Sequence, residues 1–344
     1  MMTEVARMDA RQHITSSAEI KSRFDSYMLG NEEAKTYLAS IAFKHVLATR
    51  LGFIEGSRSH VLILGQTGVG KSYLVSSLRD ILDVPVVTID ATTITEAGYQ
   101  GRDVDSIFED VLQAAGFDRM KAEVAVVFID EFDKICAQAG GERDIRGRGV
   151  QYSLLKILDG DVRQIRSSRV SRLQSGSSGD VYQFNTKRML FIFAGSFSAH
   201  PGLMQRDVIS PADIANLGFL QELVARIPNI IRFDNLSAGD LESVITRAGT
   251  GVLREYAEIF ESLGCSVTFS VDAKAKISEH VIDMGIGYRG LRTVLDRIFL
   301  PKLSCFESCG SNDGAWVPRF VVDYSGSEFV IKREPGRPDA HDQS

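Results

Sequence analysis

The octapeptide at residues 65–72 constrains the fold of this chain more than any other feature. It reads Gly-Gln-Thr-Gly-Val-Gly-Lys-Ser and fits the pattern G-x-x-x-x-G-K-[ST]. An apolar run precedes it, and a helical stretch with Leu74, Leu78 and Leu82 on one stripe follows it. In this context the glycines let backbone N–H groups wrap phosphates, and the helix start adds positive charge. A glycine-rich turn before an ordinary helix is disfavoured, because both flanking elements are present.

This loop and a second, acidic motif together predict ATP hydrolysis. Lys71 should reach the β- and γ-phosphates of ATP, and the Ser72 hydroxyl should hold Mg²⁺. An apolar run at 124–129 ends in Asp130 and Glu131, at the edge where parallel α/β sheets place ligands. We predict that Asp130 binds Mg²⁺ and that Glu131 orients the attacking water. Acidic residues also begin helices, but the loop about 60 residues upstream favours catalysis.

The residues predicted to bind ATP lie in the loop, in the helix after it and in the acidic motif. They are Gly65, Gln66, Thr67, Gly68, Val69, Gly70, Lys71, Ser72, Tyr73 and Asp130. Ser72 and Asp130 are the predicted Mg²⁺ ligands, and Lys71 and Glu131 are the predicted catalytic residues of the same set.

Apolar runs at 61–64, 84–89, 124–129 and 189–193 alternate with helical stretches, which predicts an α/β fold with a parallel sheet covered on both faces. We assign residues 14–234 to this large ATPase domain. A small, mainly helical α+β domain should follow at 235–333, beginning with one helix at 238–263. Residues 1–13 and 334–344 are polar and predicted to be disordered tails. The stretch 137–185 is rich in Gly, Ser and Arg and predicts mobile loops with one helical insert at 152–158.

Composition limits where such a protein works. The net charge is −6, which disfavours coating of nucleic acid, and no run of 18 apolar residues exists to cross a membrane. The first 17 residues have no apolar stretch, which argues against a secretory signal and favours the cytoplasm. The four cysteines form no paired Cys-x-x-Cys motifs, so we predict reduced thiols. Cys305 and Cys309 could share a helix face and ligate metal, but no histidine or further cysteine lies near them in sequence.

Several longer segments resemble the ClpX unfoldase family of AAA+ ATPases. They are 90–101, which reads Asp-Ala-Thr-Thr-Ile-Thr-Glu-Ala-Gly-Tyr-Gln-Gly, together with 128–135, 149–158 and 287–292. The resemblance covers residues 14–332. It implies a P-loop AAA+ large domain, a small C-terminal domain and a homo-oligomer, a hexameric ring that grips protein substrates in its axial pore and pulls them.

The resemblance also implies a pore loop. Gly98, Tyr99, Gln100 and Gly101 match the family's Gly-Tyr-x-Gly motif, whose aromatic ring grips the polypeptide. An aromatic face between glycines is physically suited to this role, because the glycines let the loop swing. The alternative is a tyrosine in an ordinary surface turn.

Further nucleotide contacts are implied by position within the family pattern. Arg226 matches the arginine finger, which reaches the γ-phosphate on the neighbouring subunit, and Arg289 matches the sensor arginine that contacts nucleotide in its own subunit. Met28 and Leu29 match the adenine-contacting segment. Ser196 lies near the position of a polar sensor. A surface salt bridge is the alternative for either arginine.

Two features of the family are missing from this sequence. The family's N-terminal zinc domain is not found, nor is its insertion after the fourth strand, where an Ile/Leu-Gly-Phe tripeptide docks on the ClpP peptidase. Only 197–212 connects that strand to the next helix. The strings at 51–53 and 217–219 read Leu-Gly-Phe but fall outside the insertion, and we interpret them as buried or in linkers. We therefore expect no partnership with ClpP.

The leading hypothesis is an ATP-driven protein unfoldase or remodeller, which the pore-loop match favours. The alternative is a nucleotide-dependent, DNA-associated motor or loader, and a non-hydrolysing ATP sensor is disfavoured by the intact catalytic set. An arginine-rich segment leaves three roles open: selection of acidic peptides, a solvated loop, or binding of a phosphate backbone. Its arginines are Arg143, Arg146, Arg148, Arg163, Arg166, Arg169 and Arg172.

Overall fold

A computed structural model describes residues 14–53, 59–95, 102–136, 142–166, 181–235, 237–246, 251–307 and 318–334. The chain divides into two compact units. The first comprises Met1–Phe24, Asn31–Gln66 and Lys71–Phe233, and the second comprises Asp25–Gly30, Thr67–Gly70 and Asp234–Ser344. The predicted tails lie outside the described residues except for Glu334, which ends a strand.

Nine strands and nine α-helices are described up to residue 233, besides short 3-10 turns. The strands are β1 Val61–Leu64, β2 Val86–Asp90, β3 Ile94–Thr95, β4 Arg102–Asp103, β5 Val126–Asp130, β6 Val162–Arg166, β7 Val181–Asn185, β8 Leu190–Gly195 and β9 Asn229–Arg232. The helices are α1 Ser17–Tyr27, α2 Glu32–Arg50, α3 Lys71–Ile81, α4 Ser106–Ala114, α5 Arg119–Ala122, α6 Glu142–Asp159, α7 Pro201–Met204, α8 Pro211–Ala215 and α9 Gln221–Ala225.

Five of the strands form one parallel sheet in the order β2-β5-β8-β1-β9. Every residue of β1 and β8 is buried, as expected for strands covered on both faces. β2 and β5 pair from Val86↔Val126 to Asp90↔Asp130. The carboxyl ends of β2, β5 and β8 therefore meet at one edge, where open α/β sheets bind ligands.

An aromatic cluster packs around the residues that follow β5 at this edge. The ring of Phe132, which directly follows the acidic motif, lies 4.6 Å from that of Phe193 and 4.9 Å from that of Phe219, centroid to centroid. All three side chains are buried. Packing of this kind fixes the one-turn helix Phe132–Ile135 against the end of β8, so the backbone around the acidic motif is held from both sides.

The α/β fold with a parallel sheet is confirmed, and the strands fall within a few residues of the four apolar runs. β9 was not predicted. Its sequence, Asn-Ile-Ile-Arg, has only two apolar residues, of which Ile231 alone is buried, and the strand is defined by its pairing with β1.

The prediction of mobile loops at 137–185 is wrong for most of that stretch. Residues 142–159 form the 18-residue helix α6, and β6 and β7 form an antiparallel hairpin. Residues 137–141 and 167–180 lie outside the described part. Arginines and glycines hide the helical period here, whereas Val150, Leu154 and Ile157 supply a buried stripe.

The described residues of the second unit from 237 onwards form five α-helices and a three-stranded sheet. The helices are α10 Ala238–Thr246, α11 Gly251–Ser262, α12 Val271–Met284, α13 Tyr288–Phe299 and α14 Ser304–Glu307, and the strands are β10 Ser266–Phe269, β11 Arg319–Ser325 and β12 Glu328–Glu334. The strand order is β10-β11-β12. Leu291, Leu295 and Ile298 recur on one buried face of α13 and build its core.

The prediction of a single helix at 238–263 is wrong. α10 ends at Thr246 and α11 begins at Gly251, while residues 247–250 lie outside the described part. The sequence between them contains Gly249, and Gly251 follows, so two residues with poor helix propensity fall within one turn. Within the ranges described above, no helix is both long and apolar enough to cross a bilayer.

Candidate active site

Lys71 is the first residue of α3, and its side chain is buried against the loop that precedes it. Its Nζ donates to the carbonyl oxygen of Gly65 at 2.5 Å and to that of Gln66 at 2.9 Å. These contacts hold the ammonium at the start of the phosphate-binding pattern. A fixed, compact positive charge of this kind is suited to a phosphate group.

Ser72 and Asp130 lie side by side, although 58 positions separate them in sequence. The Ser72 hydroxyl donates to Asp130 Oδ2 at 2.5 Å, which joins the start of α3 to the end of β5. The other carboxylate oxygen, Oδ1, accepts from the backbone N–H of Glu131 at 2.9 Å. One hydroxyl and one carboxylate fit Mg²⁺, which prefers oxygen ligands and completes its shell with phosphate oxygens and water.

Glu131 has an unusual backbone conformation for a residue with a side chain. Its φ is 54° and its ψ is 31°, in the left-handed region, which costs about 1–2 kcal/mol in a residue other than glycine. Strained residues of this kind concentrate at functional sites, where the surrounding structure holds them. The Glu131 side chain is half-buried and lines a cavity of about 770 Å³.

That cavity lies beyond the carboxyl ends of β2 and β5. Its lining includes Asp90, Asp133, Phe197 and His200 in addition to Glu131. Acidic, aromatic and imidazole groups therefore share a space of the size that small-molecule sites have.

Sequence reasoning missed Asp133, which lines the same cavity. Its carboxylate accepts from the backbone N–H of Ser196 at 3.0 Å and from the Ser196 hydroxyl at 3.1 Å. Lys134 Nζ donates to it at 2.7 Å. Burial tends to raise the pKa of Asp133, but the hydrogen bonds from Lys134 and Ser196 outweigh it and hold the pKa below its usual range.

In the second unit, the middle of the phosphate-binding pattern lies against the start of α13. The N–H of Tyr288 donates to the Gly68 carbonyl at 2.9 Å. A Cβ on Gly68 would collide with the backbone oxygen of Ile286, and one on Gly287 would collide with the oxygen of Gly68. The φ of Gly68 is +88°, so this position requires glycine for both its conformation and its neighbours.

The predicted adenine segment lies beside the same loop. Met28 is buried, and its sulfur lies where a Cβ on Gly70 would approach to 2.6 Å. The Tyr288 hydroxyl donates to the Leu29 carbonyl at 2.8 Å. Within this unit the structure thus brings Met28, Leu29 and Gly70 together. Arg289, the next residue of α13, is exposed.

Arg226 directly follows α9 and is half-exposed. Its Nε lies 2.6 Å from Oδ1 of Asp159, the last residue of α6. Gly98, Tyr99, Gln100 and Gly101 lie outside the described residues. The chain on either side of them forms a parallel pair, β3 with β4, in the register Ile94↔Arg102 and Thr95↔Asp103.

One arginine of the basic segment is committed to a local ion pair. Arg163 on β6 is 19% exposed, and its guanidinium lies 2.7 Å from Asp105 Oδ1. Its Nε is 3.1 Å from Asp161 Oδ2 without the alignment of a hydrogen bond. Burial raises the pKa of Asp105, although Arg163 opposes this. The side chains of Arg143, Arg146 and Arg166, and the whole of Arg169 and Arg172, lie outside the described part.

Comparison with known proteins gives consistent matches. Residues 57–230 match the AAA domain (Cdc48 subfamily). The chain is similar to the ATP-dependent Clp protease ATP-binding subunit ClpX 2 of Wolinella succinogenes, with 32% identity across 96% of this chain and 87% of that protein. It is also similar to the ATP-dependent Clp protease ATP-binding subunit ClpX of Porphyromonas gingivalis, with 29% identity across 87% of this chain and 79% of that protein.

Proposed function

Because the chain belongs to the ClpX-like AAA+ ATPases, we propose that it uses ATP hydrolysis to unfold or remodel protein substrates by threading them through a ring of its own subunits. The observation that carries ATP hydrolysis is the direct contact between Ser72 and Asp130, 2.5 Å from oxygen to oxygen. It joins the phosphate-binding helix to the acidic motif, as the chemistry of a P-loop ATPase requires.

Each residue of the catalytic set has a distinct task in this proposal. Lys71 neutralises charge on the β- and γ-phosphates, and Ser72 and Asp130 hold Mg²⁺, which when bound offsets the charge on the phosphate oxygens. Glu131 orients the attacking water and polarises it. The strained backbone of Glu131 supports this role, because the left-handed conformation sets the direction in which the side chain leaves the backbone.

The proposed assembly is a homo-hexamer in which Arg226 of one subunit reaches the nucleotide of its neighbour. An arginine that stabilises charge in the transition state contributes roughly 10³–10⁵ in rate in well-studied GTPases. The exposure of Arg226 supports this role. Its ion pair with Asp159 is half-exposed and therefore weak enough to exchange for a phosphate. Arg289 is proposed to contact nucleotide in its own subunit.

The proposed grip on the substrate is the ring of Tyr99, flanked by Gly98 and Gly101. The β3–β4 pair supports this, since it anchors the chain on both sides of the loop to one rigid strand pair.

We also propose that the protein works without ClpP. The connection after β8 is short, and it is folded: Phe197 and Leu203 are buried, and Ser210 and Asp213 form a capping box at α8. A docking loop needs an apolar anchor that projects from the ring. Of the two Leu-Gly-Phe strings, the one at 217–219 ends in a buried ring. The one at 51–53 lies just after the end of α2, and its Leu51 and Phe53 are 59% and 56% exposed.

Two stimulation assays separate the proposed function from a DNA-associated motor. We expect denatured casein to raise the ATPase rate of the purified protein, and double-stranded DNA to leave it unchanged. Tyr99→Ala should keep basal hydrolysis but lose the stimulation, whereas Lys71→Ala should lose both. Stimulation by DNA and not by casein would favour the motor. An equal loss of basal and stimulated rates in Tyr99→Ala would make that loop structural.

A separate assay tests independence from ClpP. The ATPase, ClpP, ATP and denatured casein are incubated together, and we expect the casein to stay intact. ATP-dependent proteolysis would contradict the proposal. In that case Phe53→Ala locates the docking contact, because loss of proteolysis in this variant would assign it to the exposed tripeptide at 51–53.

A further inference from the structure

Asp133 and Ser196 join the ends of two neighbouring strands. Asp133 lies three residues beyond β5, and Ser196 directly follows β8, which pairs with β5 in parallel. Both carboxylate oxygens are used: Oδ1 accepts from the Ser196 N–H at 3.0 Å and Oδ2 from its hydroxyl at 3.1 Å. We call this pair of hydrogen bonds the Asp133–Ser196 clasp.

The clasp is enclosed rather than on the surface. The Asp133 side chain is 9% exposed and Ser196 is buried. Gly195 makes the approach possible, because a Cβ there would lie 2.7 Å from Asp133 Oδ1 and 2.8 Å from the Phe197 ring. The sequence thus places a residue without a side chain at the point where the carboxylate needs the space.

The clasp also lies between two strained residues. Glu131 has φ 54° and Phe197 has φ 50°, both in the left-handed region that favours glycine. Glu131, Asp133 and Phe197 line the same cavity. Neither glutamate nor phenylalanine prefers the left-handed conformation. The hydrogen bonds between Asp133 and Ser196, which lie next to both residues, therefore help to hold both conformations.

The carboxylate of Asp133 determines the direction of its hydrogen bond with the Ser196 hydroxyl. An ionised carboxylate only accepts hydrogen bonds, so the Ser196 hydroxyl must donate its proton to Asp133. The Ser196 oxygen then acts as an acceptor towards its other neighbours, the backbone N–H of Ser198 at 3.5 Å and the Ser198 hydroxyl at 3.3 Å. An asparagine of the same shape at position 133 could donate instead and reverse the direction of the bond with Ser196.

We propose that Asp133 is a positioning residue for ATP hydrolysis: through the clasp it fixes the orientation of the Ser196 hydroxyl and the strained turn that carries Glu131. This inference rests on the proposed role of Glu131 in orienting water. In this proposal Asp133 acts through Ser196 and through the turn that carries Glu131, not by contact with ATP or the attacking water. It acts by holding two groups at the ends of adjacent strands in register with each other.

The test compares Asp133→Asn, Ser196→Ala and the double variant in single-turnover and steady-state ATPase assays. We expect kcat to fall about 10- to 100-fold in Asp133→Asn, since small misplacements cost rates of this order. The Kd of a fluorescent ATP analogue and the melting temperature should stay close to wild type. The double variant should lose little more than the more affected single variant, because both changes act on the hydrogen bond between residue 133 and the Ser196 hydroxyl. Ser196→Thr keeps the hydroxyl and should restore most of the activity.

Asp213→Asn is the matched control. Asp213 accepts from the N–H of Ser210 at 2.8 Å and from its hydroxyl at 2.7 Å, the same donors as in the clasp, but at the start of α8. Its kcat should equal that of the wild type, so a loss confined to Asp133→Asn is not a general effect of removing a carboxylate from a serine.

Three results would overturn the inference: a kcat within threefold of wild type in Asp133→Asn, parallel losses of kcat, affinity and melting temperature, or additive losses in the double variant. Should Asp133→Asn fail to fold, Ser196→Ala decides, since a normal kcat there shows that the oriented Ser196 hydroxyl does not contribute to hydrolysis and so overturns the inference. Failure of the proposed function looks different: the wild type would not hydrolyse ATP, or Glu131→Gln would hydrolyse it normally.

Discussion

Glu131→Gln tests the catalytic proposal at the scale of one side chain. The amide keeps the size of the carboxylate but cannot orient and polarise water in the same way, while Lys71, Ser72 and Asp130 remain. We expect ATP affinity to stay within a few-fold of wild type and turnover to fall about 100-fold or more. Equilibrium binding and phosphate release measure the two effects. The exposed Glu33, changed to Gln, is the control, and near-normal turnover in Glu131→Gln would remove Glu131 from catalysis.

His45 should make the first unit sensitive to acid. It is buried in α2, its Nε2 lies 2.7 Å from the Val124 oxygen, and burial lowers its pKa from 6.5 to about 4, with Arg188 adding to the effect and the hydrogen bond to Val124 opposing it. Between pH 6.5 and about 4, His45 is therefore neutral in the folded state but protonated in the unfolded state. Stability is full above the upper of these two values and declines by roughly 3 kcal/mol as the pH falls towards 4.

Urea denaturation at pH 7 and at pH 4.5 measures this loss. His45→Gln keeps a donor for the Val124 oxygen but does not titrate, so its stability should change less between the two values. Identical pH dependence in the wild type and the variant would show that His45 does not contribute.

The residues of the phosphate-binding pattern were predictable because their signal is local in sequence. Lys71 and Ser72 are neighbours, and the pattern that identifies them spans eight positions. Asp133 was not predictable as a site residue. Its partner Ser196 lies 63 positions away, and the contact depends on β5 and β8 being adjacent, which hydrophobic patterning does not specify.

The secondary-structure elements also differ in how well the sequence predicts them. β1, β5 and β8 were predictable because strands covered on both faces are apolar, with Asp130 at the end of β5 as the exception. The hairpin of β6 with β7 was not, since only half of its residues are apolar and its stability comes from pairing across an intervening segment. The pairing of Arg163 with Asp105 adds a side-chain contact to α4 that composition could not indicate.

Arg163→Gln should therefore destabilise the hairpin rather than alter substrate choice. Losing a partly buried ion pair costs about 1 kcal/mol, which lowers the melting temperature of a unit of this size by about 2–4 °C. Differential scanning fluorimetry measures it. The control is Arg119→Gln, whose guanidinium is 56% exposed and 3.9 Å from Glu123. An unchanged melting temperature with altered stimulation by casein would instead assign Arg163 to substrate contact.

At the scale of the assembly, Arg226 should act on a neighbouring subunit. Arg226→Ala and Lys71→Ala should each be nearly inactive alone, because every interface lacks one required group. In an equal mixture about one quarter of the interfaces of a head-to-tail ring combine an intact ATP site with an intact arginine. Partial recovery of ATPase activity on mixing, lost again on dilution, is the expected result. No recovery at any ratio, or full activity in a monomeric preparation, would contradict action between subunits.

The position of β1 in the sheet has a consequence for synthesis of the chain. β1 pairs only with β8 and β9, which are made roughly 130 or more residues later. At ribosomal rates of about 5–20 residues per second, this wholly apolar strand waits some 6–26 s for its first partner. During that interval β1 is exposed on the nascent chain, because neither β8 nor β9 has yet been made. The yield of the protein in a cell should thus depend on chaperones that shield extended apolar chain at the ribosome exit.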